Sequence, residues 1–256
     1  MRLASLLDLL FYQARANLRA EISRLYLNFV WWVLEPCITM AIYYVVFGIF
    51  MNHTTKHFSL FLLIGTTQWQ WFSATLTHST PSIQAASELM QHVDIPKIVF
   101  PLEIVIRDCY KHVFVLLLMG LLLAVYPIPL STSWLALPLI TLVQGLCVMA
   151  AAITLAACCP FLPDLPYIVS AVLNVMVFIS GVFFDVDSFV LPQHRYLLYL
   201  NPMAGLIREY RRVILDGQWP DWTYLATVAL GAGACLLASV LAIKRFDRVY
   251  PRICQQ

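Results

Sequence analysis

Charged side chains are scarce in this chain. Asp, Glu, Lys and Arg make up 12% of its 256 residues, whereas soluble domains carry about 25%. Hydrophobic residues reach 61% and the mean hydropathy is +0.78. The stretch Trp134–Cys159 has no charged residue, and as a helix it would exceed the ~30 Å hydrocarbon core of a bilayer. This composition excludes an ordinary soluble protein and predicts a chain that crosses a membrane several times.

Several catalytic and binding motifs are also missing. The sequence has no G-x-x-x-x-G-K-[ST] loop for nucleotide phosphates, no H-E-x-x-H and no C-x-x-C. Its seven cysteines lie mostly within or beside apolar runs, where a free thiol behaves as a small hydrophobic group. His53 and His57 have helical spacing but lie in a short polar loop. We therefore predict no enzyme activity, cofactor or metal in this chain, and the net charge of +2 gives no indication of nucleic-acid binding.

Six apolar segments can be drawn along the chain. The uncharged part of the third is too short to cross a bilayer, so this span must begin early enough to include Arg107, Asp108 and Lys111. We interpret these charges as interfacial anchors, because long basic side chains can extend to the headgroups; a gating role is the alternative. We predict an all-α integral membrane protein, a single domain over 1–256, with transmembrane helices at 29–50, 58–77, 104–126, 134–159, 166–184 and 222–243.

Basic residues near the span ends indicate the orientation. They are more numerous on the side that holds both termini, so both termini are predicted to be cytoplasmic, although a basic cluster between spans five and six opposes this balance. Residues 1–28 are predicted to form an amphipathic helix along the cytoplasmic membrane surface. Its apolar stripe consists of Leu6, Leu10, Ala14, Leu18 and Ile22.

The second predicted span is rich in polar and aromatic residues. Polar groups inside a membrane need partners or water, and hydrogen-bonding side chains beside broad indole faces suit a sugar polymer. The alternative is packing, since Trp belongs to interfacial belts and Thr and Gln bond helix to helix. The candidate substrate pathway consists of Trp71, Thr67, Thr75, Gln68, Trp69 and Gln70, and the stripe that Trp71 shares with Thr67, Thr75 and His78 is predicted to be the wet one.

Residues 81–103 form the longest predicted cytoplasmic loop between spans. The stretch Ser82–His92 can form a short helix, which ends before Ile95 because Pro96 favours an extended residue ahead of it. In a chain without its own motor, such a helix could receive force from a partner; a plain connector is the alternative. The candidate coupling residues are Glu88, Leu89, Met90 and His92.

The last outer segment, Asp185–Asp221, is too long for a turn and too charged to span, and the outer re-entrant helices are predicted at 188–217 within it. Asn201 as N-cap and Pro202 as first residue predict a helix start, and Gly217 can end it. We predict a short re-entrant helix pair before the last span, with Asn201, Pro202, Arg208 and Arg211 as candidate residues of an outer gate helix.

Four stretches occur in a characteristic order. They are Trp31–Pro36 (Trp-Trp-Val-Leu-Glu-Pro), Phe58–Gly65 with Trp69, Phe100-Pro101, and Asn201-Pro202 through Arg211 to Gly217. In this order and spacing they resemble the membrane-spanning subunit of ABC polysaccharide exporters, the type-2 export permeases for capsule and O-antigen chains. The resemblance covers nearly the whole chain. It departs at Asn28, where the family usually has Gly, and at Arg208, where it commonly has Glu, so no acid role is transferred to that position.

The resemblance implies an assembly and a location. It implies two copies of this chain with two separate cytoplasmic ATPase subunits, which would hold the ATP and Mg, in a bacterial cytoplasmic (inner) membrane. Residues 81–103 would be the coupling element, and a lipid-linked or long glycan would be the substrate. Membrane lipids and periplasmic or outer-membrane export components complete the expected partners.

Two other functions compete with glycan export. The same architecture could export a small hydrophobic drug or a lipid. A membrane glycosyl- or acyltransferase would need a catalytic acid or a histidine cluster in a wet site, for which His194 and residues 185–187 are the candidates.

Overall fold

The computed structural model of the chain is helical throughout its described part. No strand occurs among the described residues, and the predicted all-α class is confirmed. The described residues are 10, 12–20, 30–50, 57–93, 95–125, 131–189, 191–247 and 249–254.

The helices are numbered α1 to α12 in chain order. Three 3-10 turns, at Thr132–Ala136, Cys159–Phe161 and Pro192–His194, and a π-helical turn at Tyr44–Phe50 adjoin them. The helices are α1 (Trp31–Tyr43), α2 (Phe58–Ser79), α3 (Ser82–Ala85), α4 (Ser87–His92), α5 (Val99–Val125), α6 (Leu137–Cys158), α7 (Leu165–Ile179), α8 (Val186–Phe189), α9 (Arg195–Tyr199), α10 (Pro202–Ile214), α11 (Trp222–Phe246) and α12 (Tyr250–Ile253).

Among the described residues, two helical runs are long and apolar enough to cross a membrane. They are the 30-residue run Thr132–Phe161, which contains α6, and the 25-residue α11. Leu34–Phe50 and α7 are shorter apolar helices. At about 1.5 Å per residue, the 22 residues of α2 and the 27 of α5 also exceed a ~30 Å core, but α2 carries the polar run and α5 the charges noted above. The chain is thus consistent with a membrane protein, while the count of six spans stays a prediction.

Helix α2 lies at the centre of the bundle. It contacts α1, α5, α6, α7 and α10, and most of its residues are buried, polar Gln68 and Thr75 among them. Helix α11 is the opposite case, because it packs mainly against α6 and leaves Leu230 76% exposed. Most polar residues of the second predicted span therefore lie inside the protein, and the apolar helix α11 lies at its edge.

The connecting segments gather at two ends of the bundle. At one end, buried Met90 of α4 packs in one cluster with Ile243 and Tyr250 near the C-terminus. At the other end, the Ser131 hydroxyl donates to the Gly217 carbonyl at 3.1 Å. Each of these two contacts joins segments that are predicted on the same side of the membrane, and the topology itself stays a prediction.

The N-terminal segment packs on the bundle by its predicted stripe. Residues 12–20 are helical, and both Leu10 and Ala14 are buried. Leu10 packs against Ile95 and Val99, where the chain leads into α5. Leu6 and Ile22, the ends of the stripe, lie outside the described residues.

The fifth apolar helix is shorter than the predicted span 166–184. Helix α7 ends at Ile179 because the Ser180 hydroxyl donates back to the Met176 carbonyl at 2.6 Å and Gly181 takes a positive φ of 66°. The left-handed conformation at Gly181 turns the chain away from the helix axis. The carbonyls that follow are consequently free to accept bonds from another element.

Arg211 of α10 supplies those bonds. Its guanidinium donates to the carbonyls of Gly181 at 2.6 Å and Val182 at 2.7 Å, and to that of Phe61 on α2 at 3.0 and 3.2 Å. Its Cζ lies 3.3 Å from the centre of the Phe61 ring. A buried guanidinium is tolerated when its donors are satisfied, and Arg211 thereby joins α10, α2 and the end of α7.

Gly65 makes room for this arrangement, and its replacement tests it. A Cβ at Gly65 would collide with Nη2 of Arg211 and lie 3.2 Å from the Val182 carbonyl. We expect Gly65→Ala to lower the free energy of unfolding by about 1–3 kcal/mol through overpacking, measured by thermal unfolding in nanodiscs. The matched control is Gly231→Ala in α11, where nothing lies within 4 Å; it should stabilise by about 0.5–1 kcal/mol through helix propensity. Equal shifts for both variants would contradict this account.

Candidate functional site

Two cavities with mixed polar and apolar linings flank α2. The first, the α1–α2–α5 cavity, has a volume of about 240 Å³, and the second, the α1–α2–α7 cavity, about 360 Å³. Between them the Gln70 amide Nε2 donates to the Thr39 hydroxyl at 3.1 Å and joins α2 to α1. The side chains shared by both linings are Glu35, Gln70, Ala74 and His78.

The predicted pathway residues divide between these cavities and the helix contacts. Thr67, Gln70 and Trp71 line the α1–α2–α5 cavity, and Trp69 lines the α1–α2–α7 cavity with Gln70. Gln68 and Thr75 line neither of these cavities, and both side chains are fully buried. The backbone carbonyl of Gln68 accepts a bond from the Gln144 amide on α6 at 3.1 Å. Of the predicted stripe, Thr67, Trp71 and His78 share a cavity wall, and Thr75 packs inside.

Trp71 separates two environments. Its ring is 6% exposed and stacks on His112 of α5, with centroids 4.0 Å apart and planes at 10°. A Cβ at Gly145 of α6 would lie 3.4 Å from its Cη2 atom. Trp71 also lines a third, largely apolar cavity of about 830 Å³ between α5 and α6. One face of the indole is therefore already covered by His112, and the ring is the wall between a polar cavity and an apolar one.

The charges of α5 meet at the wall of the α1–α2–α5 cavity. The buried Asp108 carboxylate lies 2.8 Å from His78 Nδ1 on α2, 3.5 Å from Lys111 Nζ and 3.6 Å from Arg107 Nε. Lys111 Nζ also lies 5.7 Å from the centre of the Trp32 ring. Asp108 thus turns inward and bonds α5 to α2, so the interpretation of all three charges as interfacial anchors is too simple.

His112 is a site residue that the sequence reasoning missed. It is buried, stacks on Trp71 and lines the same cavity as Asp108. The signal was its spacing, because residues four apart lie on one face of a helix, and His112 follows Asp108 by four. Glu35 was also overlooked as a cavity residue, although it belongs to the Trp31–Pro36 motif.

The predicted coupling helix is divided in two. Helices α3 and α4 are separated at Ala86. Met90 is buried in the cluster with Tyr250, whereas Glu88, Leu89 and His92 are exposed. Met90 therefore anchors α4 to the bundle, and the other three candidate coupling residues are available to a partner.

Residues that follow α11 in the chain hold the coupling segment, residues 81–103, in place. Lys97, whose side chain is 4% exposed, pairs through Nζ with Asp247 at 3.5 Å, and its backbone N–H donates to the same carboxylate at 3.2 Å. The Tyr250 hydroxyl donates to the Ala157 carbonyl at 3.2 Å. Burial raises the pKa of Tyr250 to about 12, so the phenol keeps this proton through the neutral range.

The outer helix α10 begins as predicted. Asn201 Oδ1 accepts a bond from the Met203 N–H at 3.1 Å, and Pro202 is the first residue. Arg208 lies over the rings of Tyr199 and Tyr224, with its Cζ 4.5 and 5.3 Å from their centres, and Arg211 is buried as described above. Both predicted gate arginines therefore make contacts within the chain, Arg208 with two tyrosine rings and Arg211 with backbone carbonyls.

Arg208 also takes part in an ion-pair network at this end. It pairs with buried Glu209 at 2.8 Å and lies 3.9 Å from Asp187. Tyr199 donates its hydroxyl to Asp187 at 2.8 Å, and burial raises the pKa of Tyr199 to about 12. Glu209 is therefore the acidic residue of this turn of α10, and its role is structural, as the ion-pair partner of Arg208.

A further cavity, of about 660 Å³, lies beside α10 and is lined by acidic residues of α8 and of the turn before α8. Asp185 and Asp187 line it, but His194 does not, and the His194 ring instead lies 3.3 Å from the Gln193 amide. Within the described residues, no group of three or more His, Cys, Asp or Glu side chains is placed to hold a metal ion.

The chain is similar over most of its length to curated bacterial proteins. An O-antigen export system permease protein RfbA of Klebsiella pneumoniae is 26% identical over 254 residues, 99% of this chain and 96% of that protein. The protein of the same name from Myxococcus xanthus is 28% identical over 222 residues, 86% and 85% of the two chains. The polysialic acid transport protein KpsM of Escherichia coli is 24% identical over 228 residues, 84% of each. No model of a protein family matches the chain.

These relatives are the group that the order of the motifs indicated. Their alignments run nearly from end to end, so the similarity extends beyond the four motifs to the whole helical bundle. The resemblance drawn from the sequence is confirmed: this chain is a homologue of bacterial O-antigen export permeases and of a polysialic acid transport protein.

Proposed function

We propose that this chain is the permease subunit of an ABC exporter that moves a capsular or O-antigen-type polysaccharide across the bacterial cytoplasmic membrane. The observation that carries the proposal is the alignment with an O-antigen export permease over 99% of this chain and 96% of that protein. An alignment over nearly the full length of both chains supports a shared role of the whole chain, because the similarity is not confined to one segment.

The structure supports the proposal through the place of its polar residues. An ordinary bundle of apolar helices would bury aliphatic side chains at its centre, but here α2 brings amides, hydroxyls and indoles there. Two polar cavities beside α2 provide groups that bond hydroxyls and apolar faces that cover C–H surfaces. Such a lining fits a sugar chain better than it fits an ion.

We propose six transmembrane helices with both termini in the cytoplasm. The crossing elements are α1 with its π-helical turn, α2, α5, α6, α7 and α11. The N-terminal helix lies along the inner surface, and α8 to α10 form the re-entrant outer segment. The gathering of connecting segments at two ends of the bundle supports this topology.

The partners follow from the proposed role. Two ATPase subunits in the cytoplasm bind ATP and Mg and contact the exposed residues of α4, and a second copy of the chain completes the passage. The mechanical route from the motor runs through Met90 and Lys97, because these residues fix the coupling segment to α11 and α12. This chain itself carries no catalytic residue in the proposal.

Export of a hydrophobic drug or a lipid is the second candidate. The apolar cavity of about 830 Å³ between α5 and α6 favours it. A transferase is not supported, because His194 does not line the cavity that holds Asp185 and Asp187.

Deletion of the gene in its own host tests the function. We expect loss of surface polysaccharide and accumulation of the lipid-linked glycan inside the cell, with both restored by the intact chain. The control is sensitivity to hydrophobic drugs, which should not change. Normal surface glycan in the deletion strain, together with drug sensitivity, would contradict glycan export and favour the second candidate.

The topology has its own test. In a background without native cysteines, cysteines placed at the exposed Gln193 and Gln218 should react with an impermeant thiol reagent in intact cells. Cysteines at exposed Lys244 and Arg245, which lie on the proposed cytoplasmic side and outside the proposed ATPase contact, are the matched controls, and they should react only after permeabilisation. Labelling of both pairs under the same condition would refute the six-span arrangement.

The Lys97–Asp247 pair is expected to link ATP hydrolysis to export. Lys97→Glu places two carboxylates together at a mostly buried position, at a cost of about 1–3 kcal/mol. Export per ATP hydrolysed should fall several-fold in the complex with the ATPase, because α11 is released from the coupling segment. The double variant Lys97→Glu with Asp247→Lys should recover part of the loss. Equal damage in the single and double variants would indicate a packing role only.

A further inference from the structure

The α1–α2–α5 cavity lies toward the end of the bundle that holds the coupling segment. His78, in its wall, is one residue from the end of α2, and Trp31 is the first residue of α1. Asp108 lies in the first half of α5, which begins just after the coupling segment. In the proposed topology this is the level of the inner leaflet, where a glycan would be taken up from the cytoplasm.

The size of the cavity restricts what it can hold. Pockets for whole small ligands typically measure about 300–1,000 Å³, and this cavity is about 240 Å³. It has room for one sugar ring, and it is too small for a stretch of polymer. Its function is therefore recognition of a single unit, distinct from the passage of the chain.

The charges of the lining oppose a phosphate ligand. Glu35 is exposed at the cavity, and the Asp108 carboxylate forms part of its wall. The facing Lys111 is already within 3.5 Å of Asp108. A phosphate group would meet two carboxylates with the nearest cation already paired, whereas a neutral polyhydroxyl ligand can donate to both acids.

Four buried polar atoms of lining residues have no hydrogen-bond partner among the described residues. They are Thr67 Oγ1, Trp71 Nε1, His112 Nε2 and Asp108 Oδ1, and the last of them lies 3.5 and 3.6 Å from the cationic groups of Lys111 and Arg107. The residues that carry them are at most 6% exposed. Buried donors and acceptors without partners are costly. The ring oxygen of a sugar can accept a hydrogen bond from such donors, and its hydroxyl groups can both donate and accept.

Aromatic surface completes the lining. Trp31 is 45% exposed, and Trp32 beside it and Trp71 opposite also border the cavity. Indole rings can cover the apolar C–H faces of a sugar, while carboxylate and amide groups form hydrogen bonds with the hydroxyls at its edge.

We propose that the α1–α2–α5 cavity binds one uncharged sugar residue of the exported glycan. The assignment of this ligand to an exported glycan rests on the proposed function.

Binding of simple glycosides to the full chain in nanodiscs tests the site. The probes are the methyl glycosides of mannose, galactose and N-acetylglucosamine, followed by saturation-transfer NMR, with sodium pyrophosphate as the competing anion. We expect saturable binding of at least one glycoside on the order of millimolar, as suits so small a ligand, and no competition by pyrophosphate. Competition by pyrophosphate, or the absence of saturable glycoside binding, would overturn the proposal.

Matched variants tie the binding to this cavity. Thr67→Val keeps the shape of the side chain and removes the unpartnered hydroxyl, and it should weaken glycoside binding about tenfold. The control is Thr227→Val on α11, whose hydroxyl bonds its own helix at 2.8 Å; binding should stay unchanged. Thermal unfolding of both variants verifies that the bundle is intact. Unchanged binding in Thr67→Val would show that the glycoside lies elsewhere and would overturn the proposal.

The outcomes separate this site from the proposed function. If the deletion strain lacks export and the intact chain restores it, but Thr67→Val binds like the unmodified protein, the site is refuted and the function stands. If the chain does not restore export but binds glycosides through Thr67, the function is refuted and the sugar site stands.

Discussion

The assembly of this bundle depends on a single buried cation. Arg211 has no carboxylate within the hydrogen bonds described; its donors are taken by three backbone carbonyls, two at the frayed end of α7 and one on α2. A guanidinium can do this because its donors form a planar fork, and an ammonium at the same place would reach fewer of them. Helix α10 is thereby held against the central helix through acceptors that belong to the backbone, so a substitution at Phe61, Gly181 or Val182 does not delete the acceptor itself.

The central helix combines two roles that usually belong to different helices. It is the main packing partner of the bundle, and it also borders both polar cavities. The two roles fall to different residues: Gln68 and Thr75 are fully buried and line neither of these cavities, while Thr67, Gln70 and Trp71 line the α1–α2–α5 cavity. Thr75 lies four residues after Trp71, on the same face of the helix, so the packing of the neighbouring helices decides which polar residue of that face borders a cavity.

Much of this arrangement was predictable from the sequence, because it depends on local rules. The helix class follows from apolar length, the start of α10 from Asn201-Pro202, and the anchoring stripe of the N-terminal helix from its period. Local rules could not predict the contacts between elements that are far apart in the sequence. Arg211 was predicted as a gate residue, and nothing near it in sequence indicates carbonyls 30 and 150 residues away. Likewise, the pairing of His112 with Trp71 depends on how α5 packs against α2.

The attachment of the coupling segment has a consequence for the order in which the bundle can form. The contacts that hold Met90 and Lys97 come from Tyr250 and Asp247, and Lys97 and Asp247 are 150 residues apart in the sequence. Contacts between such distant residues close large loops and carry the entropy cost of that closure. Helices α3 and α4 therefore gain this support only after α11 and α12 have packed, and their position on the bundle depends on elements that are synthesised much later.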